Sequence, residues 1–199
     1  MTYRNSKPGP VRTSAFTLVE TLVAITIVTL AILAPFDAIE KVVNASRLAK
    51  DNLIASALAE EALEYVRFIR TTNYLSGRQY LMEGLDGSTS TKFGTHDCVS
   101  ALCSLDATVN PNVAVSPVGA SCSTSQPTSC PPLYVTTQGL YTLASGAPNT
   151  ATIFKRGFII DVQSAGVGTA NVDTVTVKIS WEDHGSQKLI LTENLYDWF

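Results

Sequence analysis

Glu20 stands inside an apolar run, residues 14–36, SAFTLVETLVAITIVTLAILAPF. An acidic side chain within a bilayer costs on the order of 2.5–3.5 kcal/mol unless it is paired. No Lys or Arg lies within helical reach, the nearest being Arg12 and Lys41. The small pair Ser14-Ala15 comes immediately before the run, and hydrolysis of the bond after Ala15 would create a positively charged amine on Phe16, one helical turn from Glu20. The chemistry implied is a proteolytic step that generates the counter-ion for a carboxylate in apolar surroundings, in the same chain or in a neighbour. Other reactive side chains are few. His96 and His184 fall in turn-like contexts, and no nucleophile, base and orienter form a recognisable set, nor is there a phosphate-cradling glycine loop. We therefore expect no enzyme activity and no cofactor. Glu60, Glu61 and Glu64 have no histidine nearby and read as a solvated helix face. Asp86 and Asp97 lack the regular acidic spacing of a calcium loop, so no metal site is expected.

Composition fits one globular domain and one membrane segment: 199 residues, 45% hydrophobic, 16% charged. The formal net charge is -3, and Arg4, Lys7 and Arg12 all precede the apolar run, so the remainder is more acidic still. Such a balance argues against nucleic acid as a partner. An ordinary secretory signal has its small-residue cleavage site behind the apolar run. Here it stands in front, so cutting there removes residues 1–15 and leaves residues 16–36 on the mature chain. That stretch of roughly 21 residues matches a hydrocarbon core of about 30 Å as a helix. With the basic end inside, the N-terminus is cytoplasmic and the rest lies outside. Cys98, Cys103, Cys122 and Cys130 read as disulfides in an oxidising compartment. Four cysteines allow three pairings; Cys98 with Cys103 and Cys122 with Cys130 are near enough for two local loops.

No glycine occurs between Gly9 and Gly77, so one helix is expected over residues 16–70. Pro35 is expected to bend it or to divide it into two. Residues 37–70 are amphipathic: Ala55, Leu58, Ala59, Ala62, Val66 and Ile69 recur near a 3.6 period, with Arg67 and Arg70 placed to suit the helix dipole at its end. Thr17, Thr21, Thr26 and Thr29 are expected to return their hydroxyls to the helix backbone. Residues 71–150, rich in Gly, Ser, Thr, Asn and Pro, read as disulfide-containing loops with one or two short strands near residues 134–135 and 140–143. In residues 151–199, the sets Phe158, Ile160, Val162, then Val175, Val177, Ile179, Trp181, then Leu189, Leu191, Leu195 alternate as three strands. An antiparallel meander receiving the apolar face of a long helix makes the fold class α+β.

Together, the basic leader, the string A-FTLVETLVAITIV and the uninterrupted apolar helix resemble the class III leader of type IV pilins and of type II secretion pseudopilins. The resemblance covers the first 70 residues well and the last 45 loosely. It implies that prepilin peptidase cuts between Ala15 and Phe16 and N-methylates Phe16. It also implies that Glu20, fifth in the mature chain, is the assembly residue, and that Pro35 marks a helix kink. The family carries glycine before the cut, where this chain has Ala15. The ending VKISWEDHGSQKLILTENLYDWF resembles minor pilins of the pilus-modification type. The implied function is a minor pilin or pseudopilin assembled into, or priming, a type IV pilus or type II secretion-like fibre. Its implied partners are prepilin peptidase, other pilin or pseudopilin subunits, the inner-membrane assembly platform and, before assembly, the lipid bilayer. The alternative is a single-pass membrane-anchored extracytoplasmic binding protein that does not polymerise.

Overall fold

In a computed structural model, residues 17–78, 80–90, 93–109, 118–122, 126–163, 172–183 and 185–196 are described. The leader, with Ala15 and Phe16, lies outside them, as does His184. Contacts divide the chain into two units, Met1–Arg47 and Leu48–Phe199.

One helix, α1, runs over Leu18–Leu75 and includes Pro35, so the alternative of two separate helices does not hold. Thr17 starts it: the Glu20 amide donates to the Thr17 hydroxyl at 3.3 Å and to the Thr17 carbonyl at 3.1 Å. Its C-terminus closes with Gly77 at φ 66°, a left-handed conformation that glycine adopts without strain. There the Gly77 amide donates to the Tyr74 carbonyl and the Arg78 amide to the Asn73 carbonyl, satisfying two carbonyls of the last turn. The helix thus extends past the expected end at Arg70. Arg67 and Arg70 are consequently interior to it and serve a different purpose from the one their sequence position suggests.

The second unit contains a seven-stranded antiparallel sheet. Its strands are β1 (Cys103–Leu105), β2 (Val118–Ser121), β3 (Pro132–Val135), β4 (Tyr141–Thr142), β5 (Thr150–Gln163), β6 (Val172–Glu182) and β7 (Ser186–Tyr196). The long strand β5 organises them. One edge pairs along its length with β6, from Lys155↔Ser180 to Gln163↔Val172, and β6 pairs in turn with β7. The other edge is shared, β3 taking the first half through Val135↔Thr150 and β1 meeting Phe158 through Cys103. The three-strand meander expected at the C-terminus is present, beginning earlier than the apolar alternation suggested. The loop-rich middle contributes four short strands rather than one or two, because β1 forms on the open edge of β5 and β2 on that of β1, and neither carries an alternation of its own.

Period-3.6 and period-2 apolar patterns meet in the core. Ala55, Leu58, Ala59, Ala62, Val66 and Ile69 are all buried against Phe154, Phe158, Ile160, Val175, Val177, Ile179 and Trp181. Three alanines on that face let the helix approach the sheet closely. Val162 departs from the expected pattern and is exposed near the end of β5. On the opposite sheet face, Leu102, Cys122, Cys130 and Ile159 form a second, smaller cluster. It depends on Gly157, where an added Cβ would lie 2.7 Å from both Cys130 Sγ and Leu102. The disulfides are Cys98–Cys103 and Cys122–Cys130, with Cα–Cα distances of 5.4 and 4.5 Å. Both bind loops to the sheet: Ile160 donates its amide to Cys98 O at 2.8 Å, and Cys122 donates its own to Leu102 O.

Candidate assembly site

In the first turn of α1, Thr17-Leu18-Val19-Glu20 has the order of a capping box, a hydroxyl residue followed three positions later by a carboxylate. A carboxylate there faces the positive end of the helix dipole. Glu20 is exposed, and no described residue pairs with it. Thr21, Thr26 and Thr29 donate their hydroxyls to the carbonyls of Leu18, Val23 and Thr26 at 2.8–2.9 Å, as expected. Thr17 instead acts as the cap.

Apolar side chains continue from this turn with no described residue covering them. Leu18, Leu22, Ile25, Ile32 and Phe36 are each more than half exposed, as are Ile39 and Val42 further along. The helix is long and apolar enough to cross a membrane. Every described side chain from residue 17 to residue 50 is exposed, whereas burial begins with the next turn.

The acidic residues that follow are not simply a solvated face. Glu61 pairs with Arg156, which is fully buried on β5. Arg156 also donates to Leu58 O at 3.1 Å and to Leu105 O at 2.9 Å, so one guanidinium ties α1, β5 and β1 together. Glu64 pairs with Arg67, which reaches on to Glu193 of β7, and Arg70 donates to Tyr196 O at the end of that strand. The two arginines therefore clamp the outer strand to the helix. Arg156 was missed in the sequence, although the alternation Phe154, Arg156, Phe158, Ile160 sets it on the buried face. Glu60 alone of the three carboxylates is exposed without a described partner.

The remaining candidates serve local structure. Asp86 accepts from the amide and hydroxyl of Ser88, and Asp97 from the amides of Val99 and Ser100 and the hydroxyl of Ser100. Among the described residues no three His, Cys, Asp or Glu side chains group as metal ligands would. His96 is half-buried, and burial pushes its imidazole below the ordinary range against a hydrogen bond to the Phe93 backbone. Burial pushes the Asp106 carboxyl up, but bonds from the Thr108 and Thr142 hydroxyls and the Leu143 and Thr108 amides outweigh it and hold the group below the usual carboxylate range. Nearby Tyr65 is pushed up to about 12 by burial and by the Asp106 charge. These residues join the loop after β1 to the end of β4.

A cleft of about 280 Å³ is lined by Thr128, Thr152, Ile153, Lys155, Ser180, Trp181 and Glu182, with the Lys155 ammonium donating to Thr128 O. A second, of about 210 Å³, lies along the helix between Ile54, Ala57, Leu58, Glu61 and Tyr141. Comparison with protein-family models, curated proteins and solved structures found no match.

Proposed function

We infer that the chain is a structural subunit of the type IV pilin and type II secretion pseudopilin kind, most akin to a minor pilin. It enters the cytoplasmic membrane as a precursor, its N-terminus cytoplasmic and its disulfide-bonded sheet outside. Prepilin peptidase cuts between Ala15 and Phe16 and methylates the new amine, and the assembly platform moves the subunit into a fibre with its fellows. The observation that carries this reading is the first half of α1, apolar on every side and exposed, with one carboxylate in its first turn. Lipid can cover such a surface before assembly and like helices can cover it afterwards.

Glu20 acts in this scheme through specificity. It is neutralised only where it meets a Phe16 amine, so a misplaced subunit would leave a charge in apolar surroundings. Glu20→Ala should leave cleavage after Ala15 intact while lowering incorporation into fibres at least about tenfold, equivalent to a loss of roughly 1.4 kcal/mol. Wild-type incorporation of that variant would refute the role given to Glu20.

A further inference from the structure

We propose that the cleft beside Ser180 binds a small zwitterion, a free α-amino acid, with Lys155 taking the ligand's carboxylate, Glu182 its ammonium and the Ser180 hydroxyl a further hydrogen bond.

The cleft exists because two strands part. Pairing between β5 and β6 ends at Lys155↔Ser180, although β5 extends back to Thr150 and β6 forward to Glu182. Beyond that rung each strand is held by a different neighbour, β5 by β3 through Val135↔Thr150 and β6 by β7 through Glu182↔Ser186. The cleft of about 280 Å³ opens in the fork between them. Phe154, Arg156, Ile179 and Trp181 are buried on the core side, so alternation places Ile153 and Lys155 of β5 with Ser180 and Glu182 of β6 on the sheet face away from α1.

The polar groups of this cleft are not spent on one another. Ser180 is 4% exposed, yet its Oγ has no hydrogen-bond partner among the described residues, and neither has Nε1 of Trp181, the next residue along the same wall. A buried hydroxyl without a partner is costly, and a ligand that supplies one recovers that cost. Lys155 and Glu182 form a diagonal pair across the two strands, a Cβ spacing of roughly 7–8 Å in an unbroken ladder. Neither makes an ion pair with any described residue. Lys155 instead donates to Thr128 O at 2.8 Å, which positions the ammonium and leaves its other N–H donors for a ligand.

Charge selects the class of ligand. A simple anion would meet Glu182 and a simple cation Lys155, while a neutral polyol would leave both charges unanswered. A zwitterion answers both, and the half-exposed Ile153 gives an apolar side chain a wall to lie on. The volume falls below the range of about 300–1,000 Å³ that drug-sized ligands occupy, which suits a single amino acid.

Isothermal titration of the detergent-solubilised full-length chain tests this, with glycine, alanine, threonine and leucine as probes. At least one should saturate a single site with a Kd of about 1 mM or tighter, and its methyl ester and N-acetyl derivative should each bind at least about tenfold more weakly. Lys155→Met, Glu182→Gln and Ser180→Ala should each weaken binding about tenfold. Ser180→Ala separates binding from packing, since it removes an unpaired hydroxyl and should leave the urea midpoint at or above the wild-type value. The site is refuted by the absence of saturable binding with all four probes or by wild-type affinity in Ser180→Ala. An ester or N-acetyl derivative that binds as well as the free amino acid, or tighter binding of glucose, would overturn the assignment to a zwitterion.

Discussion

Apolar side chains in the two halves of α1 have different fates. From residue 18 to residue 36 apolar side chains occupy every face, and none of the described ones is buried. From Ala55 to Ile69 they occupy one stripe, and that stripe is the helix side of the core. Periodicity is thus the mark of apolar surface that the chain covers for itself. Its absence, over a stretch too apolar to remain in water, indicates a surface covered from outside.

Arg156→Ala should give the largest effect, since it removes the buried guanidinium that joins α1 to β5 and strands the Leu58 and Leu105 carbonyls. A loss of about 3–5 kcal/mol is expected in urea unfolding of the detergent-solubilised chain. The comparison between halves is sharpest at two isoleucines. Ile69→Ala should cost about 2–5 kcal/mol in that assay, whereas Ile25→Ala should stay within about 0.5 kcal/mol. Equal losses at both sites would mean that the first half is also packed by its own chain.

Acid should have a smaller effect, confined to the second half. The folded Asp106 carboxyl sits below its unfolded value of about 3.9, so its contribution is complete above that pH and is lost as pH falls through the folded value. His96 acts in the same direction from about pH 6.5 downward, because its folded form favours the neutral ring. Unfolding free energy measured against pH should therefore decline gently below about 6.5 and more steeply below about 4, the lower step being smaller in Asp106→Asn.

Much of this fold was legible because its long elements carry their own periods. Ala55 through Ile69 announced a helix face, and Val175 through Trp181 a strand, before any partner was known. β1 and β2 were not legible, since three or four residues cannot display an alternation and what makes them strands is an open edge, that of β5 for β1 and that of β1 for β2. Arg67 and Arg70 were misread for a related reason: the helix end was set at Arg70, while Gly77 was the real stop and β7 the real partner. Arg156 shows the limit of residue-type reasoning, for it is fully buried in alternation with Phe154, Phe158 and Ile160, and an arginine's type gives no sign of burial. At the candidate assembly site the apolar run and Glu20 were plain in the sequence. The capping role of Thr17 emerged only from the hydrogen bond to the Glu20 amide.

The most direct measurement is the mass and N-terminal sequence of the chain recovered from its native membrane. A mature protein beginning with N-methylated Phe16 is what a processed pilin-like subunit requires. A chain retaining residues 1–15, or one cut after residue 36, would contradict it and leave the apolar half of α1 as an anchor alone.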